Sequence, residues 1–495
     1  MSRVPKSSDD LAYATRGGVD IRISTMADAK EHMALEQERL SVKEKVGYGI
    51  GDAAANFIFQ TMIIFQLAFY TDTFGITAAA AGTLFLVVRV WDAIFDPLMG
   101  VVADRTNTKW GKFRPWILWT AVPFGIMAFL TFTTPPFAAQ GKLIYAYATY
   151  IVLMMVYSAN NLPYSALSGV ITGDLAERTS LSSYRFVCAM SAAFVIQGLA
   201  LPMVNYFGQG DSAKGYQITM GIFSTLAIVF FVITFATTRE RVQPDPTQQS
   251  SIRQDFADLT RNGPWLAMFV LTIVVFITLS MRGGVMLYYF KYYVGREDLF
   301  SLFNVCGLGA TILGVMGSTP LAKRFGKRNV FIVGLSATVV FTALFVFLSS
   351  SAIPMIFATE MLRQLAYGFT IPLLWAMMAD VADYSEWKNR RRATAIVFSA
   401  IVFGLKAGLG FGGAIGAWVL AAYGYVPNVV QSARALEGIK LTVSIFPAIT
   451  FAIAVGCLFF YRIDKHLEIQ ITDELAARRR MYAPAVDGPI PVPTP

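Results

Sequence analysis

The chain has 495 residues, of which 55% are hydrophobic and 15% charged, and its formal net charge is +9. Its mean hydropathy is +0.53, and a soluble domain of this composition would have too little polar surface to cover its apolar residues. Apolar runs of about 20 residues, the length that crosses a bilayer core, recur along the chain. The composition therefore excludes an ordinary soluble protein, and the positive charge is typical of basic cytoplasmic loops rather than of a nucleic-acid partner.

A polar N-terminal segment, a series of hydrophobic spans and a charged tail follow one another. Residues 1–42 have no apolar core behind their basic residues, so we interpret them as a cytoplasmic extension and not as a cleaved signal. The cytoplasmic tail at 463–495 ends in PAVDGPIPVPTP and is predicted to be disordered. Hydropathy predicts about twelve membrane spans between these segments. The spans lie near 45–71, 77–103, 114–134, 142–171, 183–206, 217–238, 264–293, 299–322, 328–350, 353–380, 393–424 and 438–461.

Loop charges and an internal repeat divide the spans into two halves. Basic residues concentrate in alternate loops, which places those loops and both termini in the cytoplasm. The loop ADRTNTKWGKFRPW after span 2 resembles AKRFGKRNVFI after span 8, and GDLAERTSLSSYR after span 4 resembles ADVADYSEWKNRRR after span 10. We predict an all-α polytopic membrane protein with two pseudo-symmetric six-helix bundles, at 43–238 and 263–462, joined by a central cytoplasmic loop at 239–262.

Span 2 carries three charged residues in the segment RVWDAIFDPLMG. Arg89, Asp92 and Asp96 are spaced i, i+3, i+7, so they share one face of a helix. A carboxylate in hydrocarbon is costly, and such residues usually face a bundle interior or a water-filled path. Two carboxylates one turn apart repel each other when both are ionised. A bound cation, a shared proton or a basic partner would remove that conflict.

Spans 1 and 4 carry further groups of polar side chains. Asp52, Asn56 and Gln60 follow at i, i+4, i+8 in span 1, where they either line a site or form hydrogen bonds between helices. The segment YSANNLPYSAL of span 4 is rich in amides and hydroxyls, which suit a polyhydroxylated ligand. Its polar side chains are Tyr157, Ser158, Asn160, Asn161, Tyr164 and Ser165.

Three side chains in later spans admit a functional and a structural interpretation. Arg185 opens span 5, where it either binds a ligand or anchors the helix end at the membrane surface. Trp375, near the middle of span 10, either stacks on a sugar ring or packs against its neighbours. Lys406 lies in FGLKAGLGFGG of span 11, whose glycines let helices approach closely. A buried lysine needs a partner, and Asp92 or Asp96 is the expected one.

Charged residues at the ends of spans 2 and 10 form a candidate cytoplasmic gate. Asp380 and Asp383 lie close to the basic segment that contains Arg391, and a solvated loop face is the alternative interpretation. We assign Asp104 and Arg105, at the start of the loop after span 2, to the same gate.

Histidine and cysteine give no support for an enzyme or a metal centre. His32 and His466 fall in the terminal segments, so the predicted membrane core lacks the usual general base and proton shuttle. Cys188, Cys306 and Cys457 lie in apolar runs without motif spacing. We expect no enzymatic activity and no bound cofactor.

Several of these segments resemble one family of membrane carriers. RVWDAIFDPLMGVVADRT…WGKFRPW resembles the signature of the glycoside–pentoside–hexuronide:cation symporters, the melibiose-carrier family of the major facilitator superfamily, and YTDTFG, NLPYSAL, SYRF and ADVADYSEWK also match. The resemblance extends over about 43–462. It implies the major facilitator fold and, in a bacterial inner membrane, import of a sugar or glycoside coupled to H⁺ or Na⁺ by alternating access.

The resemblance also implies roles for individual residues. Asp92 and Asp96 match the cation-site carboxylates, where Na⁺ is one candidate ion, and Ser158 stands in place of a threonine hydroxyl of that site. Cation binding is expected to neutralise carboxylates that are otherwise unpaired, and so to favour the sugar-competent state. The residues assigned to the sugar, by matched position or by their polar side chains, are Asp52, Asn56, Gln60, Asn160, Asn161, Tyr164, Arg185, Trp375 and Lys406.

The chain departs from the melibiose carriers at several site positions. Asn56 and Asn161 stand where those carriers have aspartates, Ser165 replaces a tryptophan and Ala55 a lysine. Neutral amides still bind hydroxyls, and the loss of two acids lowers the barrier to an anionic sugar, so melibiose itself is not expected. Phe95 replaces a cation-site asparagine. Sodium needs several oxygen ligands and a proton needs only a carboxylate, so we expect proton coupling.

We expect a monomer that binds a sugar or glycoside, a monovalent cation and membrane lipid, and no nucleic acid. Two alternatives share the scaffold: a carrier of lysolipids or other amphiphiles, and a membrane sugar sensor that does not transport. A channel would need a continuous polar pore, and a membrane enzyme would need a nucleophile with its base or a metal cluster.

Overall fold

The computed structural model describes residues 39–172, 174–241, 262–389 and 394–482, and these residues are almost entirely helical. Eleven of the described helical segments are long and apolar enough to cross a membrane. The helix Arg114–Thr131, which has 18 residues, occupies the position of the third predicted span. The described residues therefore accommodate the twelve predicted spans.

Six helices form the N-terminal bundle. The first begins after Ser41, whose hydroxyl accepts a hydrogen bond from the Glu44 amide, and the last begins after Asp211, which caps the Ala213 and Lys214 amides. The helices are α1 (Val42–Ala68), α2 (Ala78–Arg105), α3 (Arg114–Thr131), α4 (Ala139–Ile171), α5 (Leu175–Gly208) and α6 (Ser212–Thr237).

The C-terminal half repeats this order with two of its spans broken. Helices α10 and α11 together occupy the tenth predicted span, and α13 and α14 occupy the twelfth. The helices are α7 (Gly263–Tyr288), α8 (Phe300–Phe325), α9 (Lys327–Leu344), α10 (Ile353–Gly368), α11 (Thr370–Asn389), α12 (Thr394–Ala422), α13 (Ala433–Val443), α14 (Ile445–Phe460) and α15 (Lys465–Tyr482).

Proline explains both breaks. Pro372 lacks the amide that would donate to the Gly368 carbonyl four residues earlier, and α10 ends at Gly368. Pro447 in the same way leaves the Val443 carbonyl without an intrahelical donor, and α13 ends at Val443. That carbonyl instead accepts a hydrogen bond of 3.0 Å from Arg282 Nε on α7, so a side chain of a neighbouring helix satisfies the freed acceptor.

The first helix of each half ends in the same way. Helix α1 continues into a π-helical turn at Phe69–Phe74, and α7 continues into one at Tyr289–Val294. Gly75 and Gly295 close these turns with φ of 86° and 72°, a left-handed conformation that glycine adopts without strain. This correspondence agrees with the internal repeat of the sequence.

Glycines bring helices of the C-terminal bundle into close contact. An added Cβ at Gly408 would lie 2.6 Å from the Ile273 carbonyl oxygen, and one at Gly412 would lie 2.2 Å from the Ile277 carbonyl oxygen. Both carbonyls belong to α7, so α12 approaches α7 backbone to backbone along the FGLKAGLGFGG segment.

The prediction of a disordered tail is wrong for Lys465–Tyr482, which forms α15. The helix is attached to α11 by a 2.7 Å hydrogen bond from Trp387 Nε1 to Glu474. A 3.0 Å ion pair joins Glu468 to Lys327 of α9. These contacts depend on residues distant in sequence, which tail composition does not reveal. Residues 1–38, most of the central loop and residues 483–495 lie outside the described chain.

Replacing Gly314 by Val tests the packing of α8 on α10. An added Cβ at Gly314 would lie 2.3 Å from the Leu365 carbonyl oxygen and 2.9 Å from the Gly368 Cα, which are backbone atoms that cannot move away alone. We expect a loss of about 1–3 kcal/mol, typical of overpacking, seen as a lower Tm in detergent. Gly309→Val is the control, because nothing lies within 4 Å of its added Cβ. Equal Tm values for the two variants would contradict this packing.

Candidate functional site

Each carboxylate of span 2 has its own basic partner. Asp92, which is 3% exposed, lies 3.0 Å from Arg89 Nη1 one turn earlier on α2. Asp96 forms an ion pair with Lys406 Nζ on α12 of the other bundle. The expected pairing of Lys406 with one of the two acids is therefore confirmed. The expectation that the carboxylates are unpaired without a bound cation is wrong in this conformation, because Arg89 and Lys406 pair with them.

Helix α12 has a glycine, Gly410, where it contacts the Arg89 side chain. An added Cβ at Gly410 would lie 1.8 Å from Arg89 Cγ, so any larger residue at this position would collide with the arginine side chain. Gly82 of α2 likewise faces Trp418 of α12, whose Cδ1 would lie 2.7 Å from an added Cβ. The two glycines let α2 and α12 of the two bundles meet closely.

Three predicted cation-site oxygens have no hydrogen-bond partner among the described residues. They are Asp92 Oδ1, Asp96 Oδ1 and the hydroxyl of Ser158, which is fully buried on α4. A cavity of about 180 Å³ lies between α2 and α12, bordered by both aspartates and Lys406, with Phe403 among its apolar walls. Buried acceptors without donors can take a proton or a cation. Their role in cation binding stays a prediction.

A second ion pair joins α1 to α5 within the N-terminal bundle. Arg185 Nε lies 3.2 Å from Asp52 Oδ2, and the Arg185 guanidinium lies 5.5 Å from the centre of the Tyr164 ring. Tyr164 stacks on Tyr48 with a centroid distance of 4.7 Å and donates a 2.7 Å hydrogen bond to the Tyr48 carbonyl. The two predicted sugar-site residues Asp52 and Arg185 are thus together, supported by an aromatic pair.

Two residues assigned to direct sugar contact form hydrogen bonds within the N-terminal bundle in this conformation. Tyr164 has no exposed surface, and its hydroxyl is bonded to Tyr48. Asn160 is 2% exposed and donates a 2.8 Å hydrogen bond to Thr120 on α3. In this conformation neither side chain is available to a sugar, and the contact of Asn160 and Tyr164 with a sugar stays a prediction.

Four further predicted sugar-site residues differ in burial and in their neighbours. Asn56 donates a 2.8 Å hydrogen bond from Nδ2 to the Asp52 carbonyl, and Asn161 is half-buried on α4. Trp375 is 40% exposed on α11. Gln60 lines a different cavity, with Arg282 of α7. Contact of these four residues with a sugar stays a prediction.

Two residues of the predicted cytoplasmic gate, Asp104 and Asp380, form ion pairs within their own bundles. Asp104 pairs with Lys112 at 3.1 Å in the loop that follows α2, and Arg105 is exposed beside it. Asp380 accepts hydrogen bonds of 2.6 and 2.8 Å from Lys327 of its own bundle. Asp383 is exposed one turn further along α11. The gate also included Arg391, which lies outside the described residues, and the gate role stays a prediction.

The opposite end of the molecule carries a group of contacts between the bundles that the sequence analysis missed. The Asp72 side chain, in the π-helical turn after α1, lies 2.5 Å from Lys291 Nζ and accepts a 2.7 Å hydrogen bond from the Tyr292 hydroxyl. Tyr425 donates to the other carboxylate oxygen, and Asn428 Nδ2 donates to the Asp72 carbonyl at 2.6 Å. We refer to these five residues as the Asp72 cluster.

The YTDTFG segment stands out in the sequence only by its match to the family. A single acidic residue at the end of a span is ordinarily solvated, and the partners of Asp72 are between 219 and 356 residues away. The segments FYTDTF and YFKYYV occupy matching positions in the two halves of the chain, and one contains an acid and the other a base. This match is the sequence feature that could have predicted the contact.

Comparison with known proteins gives relatives along most of the chain. Residues 47–465 match the family model described as MFS/sugar transport protein. YagG of Escherichia coli, provisionally named as a glycoside/cation symporter, is 39% identical over 449 residues, which cover 90% of this chain and 98% of that protein. The isoprimeverose transporter of Lactiplantibacillus pentosus is 38% identical over 428 residues, which cover 85% of this chain and 89% of the transporter.

Solved structures share the fold at low identity. A bacterial homologue of the human lysosomal transporter Spinster superposes with a TM-score of 0.63 at 14% identity, covering 88% of this chain and 99% of that one. The nucleoside transporter NupG superposes with a TM-score of 0.58 at 15% identity, covering 85% and 99% of the two chains. These likenesses show the major facilitator fold.

A double-mutant cycle tests the pairing of Asp96 with Lys406. Lys406→Met leaves the Asp96 carboxylate beside apolar walls without a partner. We expect a loss of about 1–3 kcal/mol, less than for a fully buried pair, because the side chains are 18% and 20% exposed. Asp96→Asn combined with Lys406→Met should recover most of the lost stability. The measurement is Tm in detergent for the single and double variants, and additive losses would show that the two groups do not interact.

Proposed function

The chain belongs to the MFS/sugar transport protein family and is a multi-pass sugar symporter, and we propose that it imports a glycoside, pentoside or hexuronide together with a proton through Asp92 and Asp96. The observation that carries this proposal is the ion pair between Asp96 and Lys406, which joins α2 of one bundle to α12 of the other. A charge that enters or leaves this pair changes how strongly the two bundles hold each other.

The coupling follows from competition for one carboxylate. Lys406 and the transported cation both bind the Asp96 carboxylate. Binding of the cation therefore weakens the ion pair between Asp96 and Lys406. The released ammonium is then available to the oxygen atoms of a bound sugar. Sugar binding, in turn, removes Lys406 from Asp96 and raises the affinity for the cation, because coupling between two binding sites is reciprocal.

The oxygen set favours a proton over sodium. One carboxylate oxygen of each aspartate and the Ser158 hydroxyl are without hydrogen-bond partners in the described chain. Phe95 stands on the same helix and adds no oxygen. A proton needs a single carboxylate oxygen, whereas a hard cation is usually held by several oxygen ligands. Sodium coupling is the alternative that the transport experiment below distinguishes.

The sugar site is proposed around the Asp52 and Arg185 pair. A carboxylate and a guanidinium together offer acceptors and donors in fixed positions, which match the hydroxyls of a sugar. Asn161 lies three residues from Ser158 on α4, so one helix contributes to both the cation and the sugar sites. Relatives are named for a glycoside and for isoprimeverose, and we extend that substrate class to this chain.

We also propose that both termini are cytoplasmic and that this conformation is inward-facing. Basic residues concentrate in and beside the connections that follow α2, α6, α8 and α11, which is typical of the cytoplasmic side. The Asp72 cluster then closes the extracellular end. At the cytoplasmic end, the ion pairs of Asp104 and Asp380 remain within their own bundles.

Neutralising the α2 carboxylates tests the coupling. Asp96→Asn and Asp92→Asn remove the group that takes the cation, so we expect sugar accumulation against a gradient to fall at least tenfold while exchange of sugar across the membrane continues. The measurements are uptake driven by an imposed proton or sodium gradient, and counterflow, in proteoliposomes with a sugar panel. Asp298→Asn, whose side chain is 62% exposed outside the proposed sites, is the control. Full accumulation by either α2 variant would contradict the assignment.

Asp72→Asn tests the closure at the extracellular end. The change removes the charge that attracts Lys291, so outward-open molecules should become more populated. Spin labels at Lys214 and Arg434, which are exposed at the starts of α6 and α13, report the separation of the bundles by pulsed EPR after the native cysteines are replaced. We expect a longer distance to appear in the variant. Asp298→Asn serves as control, and an unchanged distance distribution for Asp72→Asn would refute the closure.

A further inference from the structure

Three charged side chains form a cluster within the C-terminal bundle, away from the paired charges of α2. Arg282 Nη2 of α7 lies 2.6 Å from Glu360 Oε2, and Arg363 Nη2 lies 2.6 Å from Glu360 Oε1. All three side chains are buried: Arg282 is 7% exposed, Arg363 is 3% exposed and Glu360 is 2% exposed. Two guanidinium groups face one carboxylate, so the cluster carries a formal net charge of +1 in a region shielded from water.

The surrounding helices hold the cluster in place. Arg282 Nε donates to the Val443 carbonyl at 3.0 Å, the acceptor that the break between α13 and α14 leaves free. The Arg282 guanidinium also lies 4.9 Å from the centre of the Phe345 ring. A guanidinium has five N–H donors, and Glu360 with Val443 accepts only part of those available. The cluster is therefore fixed in position and retains donors.

The cluster borders a polar cavity of about 210 Å³ between the two bundles. Gln60 of α1 and Gln197 of α5 line it from the N-terminal bundle, and Asn304 of α8 and Gln364 of α10 line it from the C-terminal bundle. Asn304 Nδ2 is buried without a hydrogen-bond partner among the described residues. Four amides beside a positive cluster can bind hydroxyls and an anion together.

We propose that this cavity, which Gln60 lines about two helical turns along α1 from Asp52, is a second saccharide subsite that takes the carboxylate group of an acidic glycoside, so that acidic glycosides are the preferred substrates. The inference rests on the proposed sugar transport. A net positive charge in a desolvated site is costly, and an arriving anion offsets that cost. The planar fork of arginine matches a carboxylate in geometry as well as in charge. A ligand in this cavity contacts both bundles, so its charge also contributes to drawing them together.

Matched glycosides that differ in one group test the preference. Methyl β-D-glucuronide and methyl β-D-glucoside, with the corresponding galacto pair, differ only in a carboxylate in place of a hydroxymethyl group. Calorimetric titration of the full chain in lipid nanodiscs should give a Kd at least about tenfold lower for the acidic member of a pair, an effect of the size of one charge-assisted contact. Equal or tighter binding of the neutral member would overturn the proposal.

Sodium acetate distinguishes a saccharide subsite from a site for free anions. At matched ionic strength, acetate should leave the preference for the uronide largely intact, because the amides also bind the sugar hydroxyls. If the glucoside with acetate present binds as tightly as the uronide alone, the cavity takes a free anion and the acidic-glycoside inference fails.

A charge series at the cluster assigns the preference to this cavity. Arg363→Gln reduces the formal net charge from +1 to 0 and should abolish the preference for the acidic glycoside. Glu360→Gln combined with Arg363→Gln returns the charge to +1 without an unpaired acid, and should restore part of the preference. Arg296→Gln, on an exposed loop where it pairs with Asp298, is the control for a general loss of positive charge. An unchanged ratio of acidic to neutral Kd in Arg363→Gln would overturn the proposal.

Transport separates this inference from the function on which it rests. Uptake of the neutral glycosides with no preference for the acidic ones overturns only the subsite. Failure of the wild-type chain to take up any member of the panel overturns the proposed sugar import itself.

Discussion

Pairing of buried charges is the constraint on which the rest of this structure depends. An isolated charge among membrane-spanning helices is far more costly than in water, so each one must find an opposite charge or strong hydrogen bonds. Asp92 meets this requirement within its own helix, and Asp52 meets it with a neighbouring helix of the same bundle. Asp96 differs, because its partner Lys406 belongs to the other bundle. The Asp96 and Lys406 pair therefore links the charge state of the proposed cation site to the contact between the two halves of the molecule.

The distribution of contacts between the bundles gives the protein two distinct ends. At one end, the Asp72 cluster and a 2.6 Å hydrogen bond between the hydroxyls of Thr71 and Tyr288 connect the π-helical turns of α1 and α7. At the other end, the described ion pairs of Asp104 and Asp380 lie within single bundles. A molecule built in this way can open at one end only if contacts at the other end hold. This is the structural requirement of alternating access.

Periodicity and hydropathy were sufficient to predict the spans, the two halves and the shared face of Asp92 and Asp96, because these features depend on residues near one another in sequence. The partner of Lys406 could be predicted as well, since a buried base has few acids to choose from. The directions of Asn160 and Tyr164 could not, because adjacent polar residues on a helix face different neighbours. Pro372 and Pro447 could have predicted the breaks in the tenth and twelfth spans. The helix at Lys465–Tyr482 could not be predicted, because it depends on tertiary contacts.

Long-range polar clusters were the hardest features to predict. The Asp72 cluster joins one acid to residues more than 200 positions away, and the Arg282, Glu360 and Arg363 cluster joins α7 to α10. Each member alone resembles an ordinary residue near the end of a span. Only the packing of the two bundles shows that these residues meet, and that the second cluster faces a polar cavity.

The movement of protons that accompanies sugar entry tests whether a proton and Lys406 compete for the Asp96 carboxylate. Proteoliposomes with a pH-sensitive dye inside, and no imposed ion gradient, receive an inward gradient of a transported sugar. We predict that sugar entry acidifies the lumen in the wild-type chain, and that Asp96→Asn admits sugar without acidification. Acidification by Asp96→Asn equal to that of the wild type would contradict the claim that the proton and Lys406 compete for this carboxylate.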